Sequence, residues 1–185
     1  MDSWIPVFSG QKERDLIFRK LSVIADDLMR ISHQIEHGLF GGTEGTILFF
    51  LYYYRLTDKE KYLQRAIRLL DGLFDSVHPD SFSFAGGTAG LGWLFEHISQ
   101  QGFIDANPNE IIGELDENLH EAMIAEIKKG NYDYLHGALG IGLYFLSRKD
   151  LAAATGYLNE LASEIDKISI AETDGSLKWT EYKNG

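Results

Sequence analysis

The chain lacks cysteine altogether, which excludes disulfide bonds, thiolate nucleophiles and cysteine-ligated zinc within its 185 residues. It also lacks a cluster of Lys and Arg, because 28 acidic residues outnumber 17 basic ones and the net charge of −11 disfavours a nucleic-acid partner. The longest apolar run, ILFFLYYY at 47–54, is far shorter than the roughly 20 residues that span a bilayer. The polar start, MDSWIPVFSGQKERD, lacks the regions of a signal peptide. We therefore expect a soluble, cytoplasmic protein without a membrane span.

Apolar residues make up 44% of the chain and aromatic residues 12%, which is enough to bury the core of one domain. No stretch shows a convincing alternation typical of a strand, whereas apolar residues recur at helical spacing in several segments. These patterns predict an all-α protein with an N-terminal segment at 1–10 and a single domain at 11–185.

A repeated pattern organises the chain. Three segments read GxxG followed by an apolar run: GGTEGTILFF, GGTAGLGWLF and HGALGIGLYF. The first glycine of each pair is Gly42, Gly87 or Gly137, so the repeats lie 45 and 50 residues apart. A period of this length is typical of stacked or circular arrays.

Amphipathic segments between the repeats predict helices on the outer side of the domain, including an opening helix at roughly 11–36. The segment NPNEIIGELDENLHEAMIAEIKK has Asn107 as a cap and Pro108 in its first turn. The alternation of apolar and amphipathic helices predicts an α/α arc of about three hairpins. Apolar stripes are predicted at Tyr62, Ala66, Leu69, Leu70 and Phe74, and at Ile111, Leu115, Leu119, Met123 and Ile127.

Two glycines at the start of every apolar helix require a reason, because each costs about 1 kcal/mol of helix propensity. One interpretation is close packing of backbones. The other is that the helix starts ring a central site, where their amides and positive dipole ends favour an anionic or polarised group.

The GxxG-initiated helices, and above all NYDYLHGALGIGLYFL, resemble the LanC-like lanthionine synthetases. The resemblance covers roughly 11–185 and corresponds to the amino-terminal half of that family. It implies an α/α toroid, of seven hairpins in a full-length member, here partial. It also implies lantibiotic biosynthesis, in which Cys thiols of a precursor peptide add to dehydroalanine or dehydrobutyrine. A full-length member is expected to hold zinc through Cys, Cys and His from later repeats. We therefore expect no cofactor in this chain and no cyclase activity from it alone.

The resemblance assigns one catalytic residue, Asp133, whose carboxylate is expected to face the bore of the toroid. The alternative is that Asp133 caps or braces the start of the following helix. No metal ligand is assigned. The candidates for lining the bore are Gly42, Gly45, Gly87, Gly90, His136, Gly137 and Gly140.

Two other functions remain open. His33, Glu36 and His37 form the HxxEH pattern of some zinc peptidases, although alignment of the repeats on Gly42 places them in a connection. A non-catalytic peptide-binding arc is the second alternative. Whether the chain is part of a cyclase or a binding arc, a homodimer that closes the toroid would cover the exposed ends of the repeat array. The aromatic residues considered for peptide binding, most of them expected in the core, are Tyr52, Tyr53, Tyr54, Trp93, Phe95, Tyr132, Tyr134 and Tyr144.

Overall fold

The structure is a computed structural model that describes residues 8, 10–31, 36–73, 81–148 and 151–180. Two compact units make up the chain, Met1–Ile35 and Glu36–Gly185. In the first unit, helix α1 spans Gln11–Arg30, and the Glu13 carboxylate accepts a hydrogen bond from the Gly10 amide at 3.3 Å. The prediction of a helix reaching residue 36 was wrong, because Ile31 is already extended.

Three apolar helices form the inner layer of the second unit and confirm the predicted repeat. They are α2 at Thr43–Thr57, α4 at Thr88–Gln100 and α7 at Ala138–Ser147. Each begins at the residue after the first glycine of a GxxG pair, which adopts an extended conformation as the cap. Helix α4 packs against both α2 and α7, so the inner helices follow one another in chain order.

Amphipathic helices α3, α6 and α8 form the outer layer, at Glu60–Leu73, Asp116–Lys128 and Ala154–Lys167. Helix α3 packs on α2, where Tyr62 stacks on Phe50 with ring centroids 6.0 Å apart. Helix α8 packs on α7, and helix α6 lies against both. The predicted stripe of α3 is confirmed at Tyr62 and Ala66, whereas Leu69 and Leu70 are half-buried and Phe74 lies outside the described residues.

The segment that begins at Asn107 is not one continuous helix. A short helix, α5, spans Pro108–Ile112, and a 3₁₀ turn at Gly113–Leu115 leads into α6. The predicted cap is confirmed, because the Asn107 side chain accepts from the Asn109 amide at 3.1 Å. A 3₁₀ turn holds about three residues instead of 3.6 and changes the phase of the stripe. The buried residue of α5 is consequently Ile112, whereas Leu119, Met123 and Ile127 are buried as predicted and Ile111 and Leu115 are half-buried.

A small antiparallel ladder, which the sequence did not predict, follows α8. Strands β1 and β2 span Ile170–Ala171 and Leu177–Lys178, with Ile170 opposite Lys178. Two residues are too few to show an alternating pattern. The Trp179 indole donates to the Ile165 carbonyl at 3.0 Å, which holds this end of the described chain against α8.

A buried ionic network joins three helices of the second unit. Arg148, next after α7, donates to the Glu96 carboxylate on α4 at 3.2 Å and to Asp116 Oδ2 on α6 at 2.5 Å. The Tyr144 hydroxyl donates to Asp116 Oδ1 at 2.5 Å. Burial, followed by the Asp116 carboxylate, raises the pKa of Tyr144, so its hydroxyl stays protonated. The network therefore ties α4 and α6 to the end of α7.

The described residues are mostly helical, as predicted for an all-α protein. Among the helices of the described residues, none is both long enough and apolar enough to cross a membrane.

Candidate functional site: the loops before the inner helices

The three loops that precede the inner helices repeat one geometry. In each loop, the amide immediately after the first glycine donates to the carbonyl seven residues earlier. This bond joins the first residue of the helix to the residue at which the loop begins, so it closes the loop. The three bonds run from Thr43 to Glu36 at 2.9 Å, from Thr88 to Ser81 at 2.8 Å and from Ala138 to Asn131 at 3.0 Å.

A backbone ladder connects these loops to one another. The Phe40 amide of the first loop donates to the Ala85 carbonyl of the second at 3.1 Å. The Ala85 amide in turn donates to the Leu135 carbonyl of the third at 2.9 Å. The loops are therefore held in order by main-chain bonds that do not depend on side-chain identity.

The glycines of each GxxG pair are required for close packing. A Cβ at Gly90 would overlap the Phe84 carbonyl oxygen of its own loop, and a Cβ at Gly140 would overlap that of Tyr134. A Cβ at Gly87, the first glycine of the second GxxG pair, would overlap the Ser81 carbonyl oxygen in the same way. Close packing of backbones, the first of the two interpretations, therefore explains the pattern.

The candidate bore-lining glycines lie at these loop closures, and their exposure to a bore stays a prediction. Three of their amides already have acceptors within the loops, the first being Gly45, which donates to the Gly38 carbonyl at 3.4 Å. Gly87 donates to the Ser83 carbonyl at 3.0 Å, and Gly137 donates to the Asp133 carbonyl at 3.1 Å. Four of the six glycines are buried and two are half-buried: Gly42, Gly90, Gly137 and Gly140, then Gly45 and Gly87.

Asp133 braces the third loop. Its Oδ1 accepts from the Leu135 amide at 2.9 Å and from the His136 amide at 2.7 Å, while the side chain remains 55% exposed. The His136 amide is the main cause that lowers the pKa of Asp133, and the Leu135 amide contributes further. The bracing role proposed as an alternative is confirmed, although the cap residue of α7 itself is Gly137. Its catalytic role stays a prediction.

His136 lies at the exposed edge of the same loop. Its Nδ1 lies 3.2 Å from Asp133 Oδ1, and its side chain is 68% exposed. The equivalent positions in the other loops hold Gly41 and Gly86. The sequence thus singled out the two side chains, but not the contact between them.

The HxxEH residues that are described do not lie on a helix. The Glu36 carbonyl accepts from the Thr43 amide, so Glu36 belongs to the first loop and not to the helix that was predicted to reach it. His37 Nδ1 lies 3.4 Å from Glu44 Oε1, and Glu44 Oε2 accepts from the Gly38 amide at 2.6 Å. His33 lies outside the described residues. The buried Glu44 braces this loop, a role that was not predicted from the sequence. A charged residue inside the glycine-rich segment GGTEG is the feature of the sequence that could have indicated it.

Metal-ligating side chains are scattered over the described part of the chain. There, no three His, Asp or Glu side chains come close enough together to hold a metal ion.

Aromatic side chains reach the surface beside the loops. Phe84 contacts Phe40 and Tyr134, each at a ring-centroid separation of 6.3 Å. On the inner helices, the Tyr52 hydroxyl lies 2.8 Å from His97 Nε2, and Trp93 stacks on His97 at 4.7 Å. The eight aromatic residues considered from the sequence divide into buried Tyr53, Phe95 and Tyr144, half-buried Tyr54, Trp93 and Tyr132, and exposed Tyr52 and Tyr134.

The fold and its loops define a class of α/α repeat protein in which GxxG pairs close the loop before each inner helix. The family described as Lanthionine synthetase C-like protein matches residues 34–184 of the sequence. The chain belongs to this family. No curated protein shows a significant match to the chain.

Proposed function

We propose that this chain is the peptide-receiving part of a lanthionine cyclase, which joins a Cys thiol of a precursor peptide to dehydroalanine or dehydrobutyrine. The observation that carries the proposal is the third loop, which presents an exposed carboxylate, an imidazole and an aromatic ring within four residues. These side chains, Asp133, His136 and Tyr134, supply a charge, a proton-transfer group and an apolar contact for a peptide.

The zinc that the family is expected to use does not fit the described residues. The chain has no thiolate ligand, and the described His, Asp and Glu side chains form no cluster for the ion. The contribution proposed for this chain is therefore to bind and orient the peptide and to handle protons. Activation of the thiol by a metal ion is not assigned to its residues.

The test measures thioether formation by mass spectrometry with a dehydrated precursor peptide. In a zinc-bearing family member that has the same loop sequence, the change equivalent to Asp133→Asn is expected to lower kcat about 10²- to 10⁴-fold, as loss of the carboxylate that orients a proton-transferring imidazole does. Asparagine retains an Oδ1 acceptor for the Leu135 and His136 amides, so the loop is expected to keep its fold. An equal loss of thermal stability without a specific loss of kcat would restrict Asp133 to bracing.

A peptide-binding arc without catalysis is the second candidate, and the exposed rings of Phe40 and Tyr134 favour it. Fluorescence anisotropy of a labelled precursor peptide separates the candidates. An arc binds the dehydrated and the unmodified peptide equally, whereas a cyclase binds the dehydrated form more tightly. For either candidate, Tyr134→Ser is expected to weaken binding.

A further inference from the structure

The third loop differs from the other two in the residue immediately before its first glycine. Gly41 and Gly86 occupy this position in the first and second loops, and a Cβ at either would meet no atom within 4 Å. The position therefore faces open space. His136 places an imidazole there with 68% of the side chain exposed, so interior packing does not account for it.

Asp133 fixes the orientation of this imidazole. Its Oδ1 is held by the Leu135 and His136 amides and lies 3.2 Å from His136 Nδ1. A hydrogen bond from Nδ1 to the carboxylate requires the proton of the neutral ring to be on Nδ1. The lone pair of Nε2 then points away from the carboxylate and is available to accept a proton.

The same hydrogen bonds make Asp133 a weak proton acceptor. Two amide donors lower the pKa of its carboxyl group, so the carboxylate remains charged at neutral pH. Proton transfer in this loop is therefore better suited to the imidazole than to the carboxylate.

We propose that His136, oriented by Asp133, is the proton-accepting and proton-returning group of this site. The assignment rests on the cyclase function proposed above. His136 Nε2 takes the proton from the peptide thiol as sulfur bonds to the β-carbon of dehydroalanine. The π-electron pair moves to the α-carbon side, and the imidazolium returns the proton to the α-carbon. The S–H bond and the carbon–carbon π bond are broken while the S–C bond and the C–H bond are formed, so the addition balances without a further reactant.

The first test identifies the protonated ring nitrogen on the intact chain, by ¹⁵N NMR of the imidazoles at about pH 8, above the ordinary pKa of histidine. His136 is expected to carry its proton on Nδ1. His120 is an internal control, because its Nε2 lies 2.9 Å from Glu160 Oε2 and favours the opposite tautomer. Removal of the charge by Asp133→Asn is expected to reduce the Nδ1-protonated form of His136. A His136 ring protonated on Nε2, like that of His120, would overturn the proposal.

The second test measures whether Nε2 reacts, with 4-nitrophenyl acetate as the probe. Neutral Nε2 attacks the acetyl carbon and releases 4-nitrophenolate, which is followed by absorbance. His136→Gln is expected to abolish the fastest phase, His120→Gln to leave it unchanged, and Asp133→Asn to slow it. A wild-type rate in His136→Gln would refute the assignment. If both tests succeed but no thioether forms in the zinc-bearing family member, the cyclase function fails while His136 remains a proton acceptor.

Discussion

Gly90→Ala is expected to destabilise the protein, although alanine is the better helix former. The new Cβ would lie closer than 3.0 Å to the Phe84 carbonyl oxygen, a separation that real Cβ atoms essentially never show. It would also lie 3.2 Å from the carbonyl carbon and 3.3 Å from Leu39 Cβ. The nearest obstacle is backbone, which cannot rotate away, so the second loop must shift.

Gly156→Ala is the matched control. Gly156 is the third residue of α8, as Gly90 is of α4, but a Cβ there would meet nothing within 4 Å. Both variants gain the same helix propensity, about 1 kcal/mol at most. The difference between them is then the cost of overpacking, about 1–3 kcal/mol.

Urea denaturation followed by circular dichroism at the helix band measures this difference, provided the slope with denaturant is unchanged. Gly156→Ala is expected to be as stable as wild type or more stable, and Gly90→Ala less stable. Equal free energies of unfolding for the two variants would show that the GxxG pair is not held by close packing.

Four further predictions follow from the described contacts and from the sequence. Arg148→Met should lower the free energy of unfolding by about 3–5 kcal/mol, because Glu96 and Asp116 lose their shared cation; a loss below 1 kcal/mol in urea denaturation would contradict this. Burial, followed by the Arg55 charge, lowers the pKa of His97 in the folded protein, so as the pH falls the unfolded chain binds a proton at this residue before the folded chain does. The free energy of unfolding should therefore decrease below about pH 6.5. The His97→Gln variant should show a shallower dependence of stability on pH, and an unchanged dependence would refute the reasoning. Leu146 on α7 is an apolar side chain that is 64% exposed, and we expect a homodimer to cover it. Light scattering should detect this dimer, and Leu146→Glu should dissociate it. A monomer at every protein concentration would disprove the prediction. After chelation and dialysis, metal analysis should find no stoichiometric zinc, and one retained equivalent that His37→Ala removes would restore the peptidase hypothesis.

Local sequence signals predicted the helix starts well. GxxG pairs begin α2, α4 and α7, and Asn107 caps α5, because each of these features depends on residues close in sequence. The 3₁₀ turn at Gly113–Leu115 was missed, since the apolar spacing around it remains compatible with one continuous helix.

Contacts between distant residues could not be predicted in the same way. Arg148 reaches carboxylates 32 and 52 residues away, and nothing in the local pattern around any of the three selects the others. Asp133 and His136 are three residues apart, yet their contact depends on the turn between them. The hydrogen bonds between loops join main-chain atoms, which every residue type has, so the sequence contains no pattern that predicts them.

The ladder from Phe40 through Ala85 to Leu135 has an evolutionary consequence. Successive loops lie 45 and 50 residues apart, yet they meet through the same backbone atoms. Insertions and deletions between repeats can therefore accumulate in the outer connections, as the additional turn at Gly113–Leu115 illustrates, without changing how neighbouring loops align. The ladder itself places no requirement on the side chains of Phe40 and Leu135, whereas Ala85 is buried and its size is also constrained by packing.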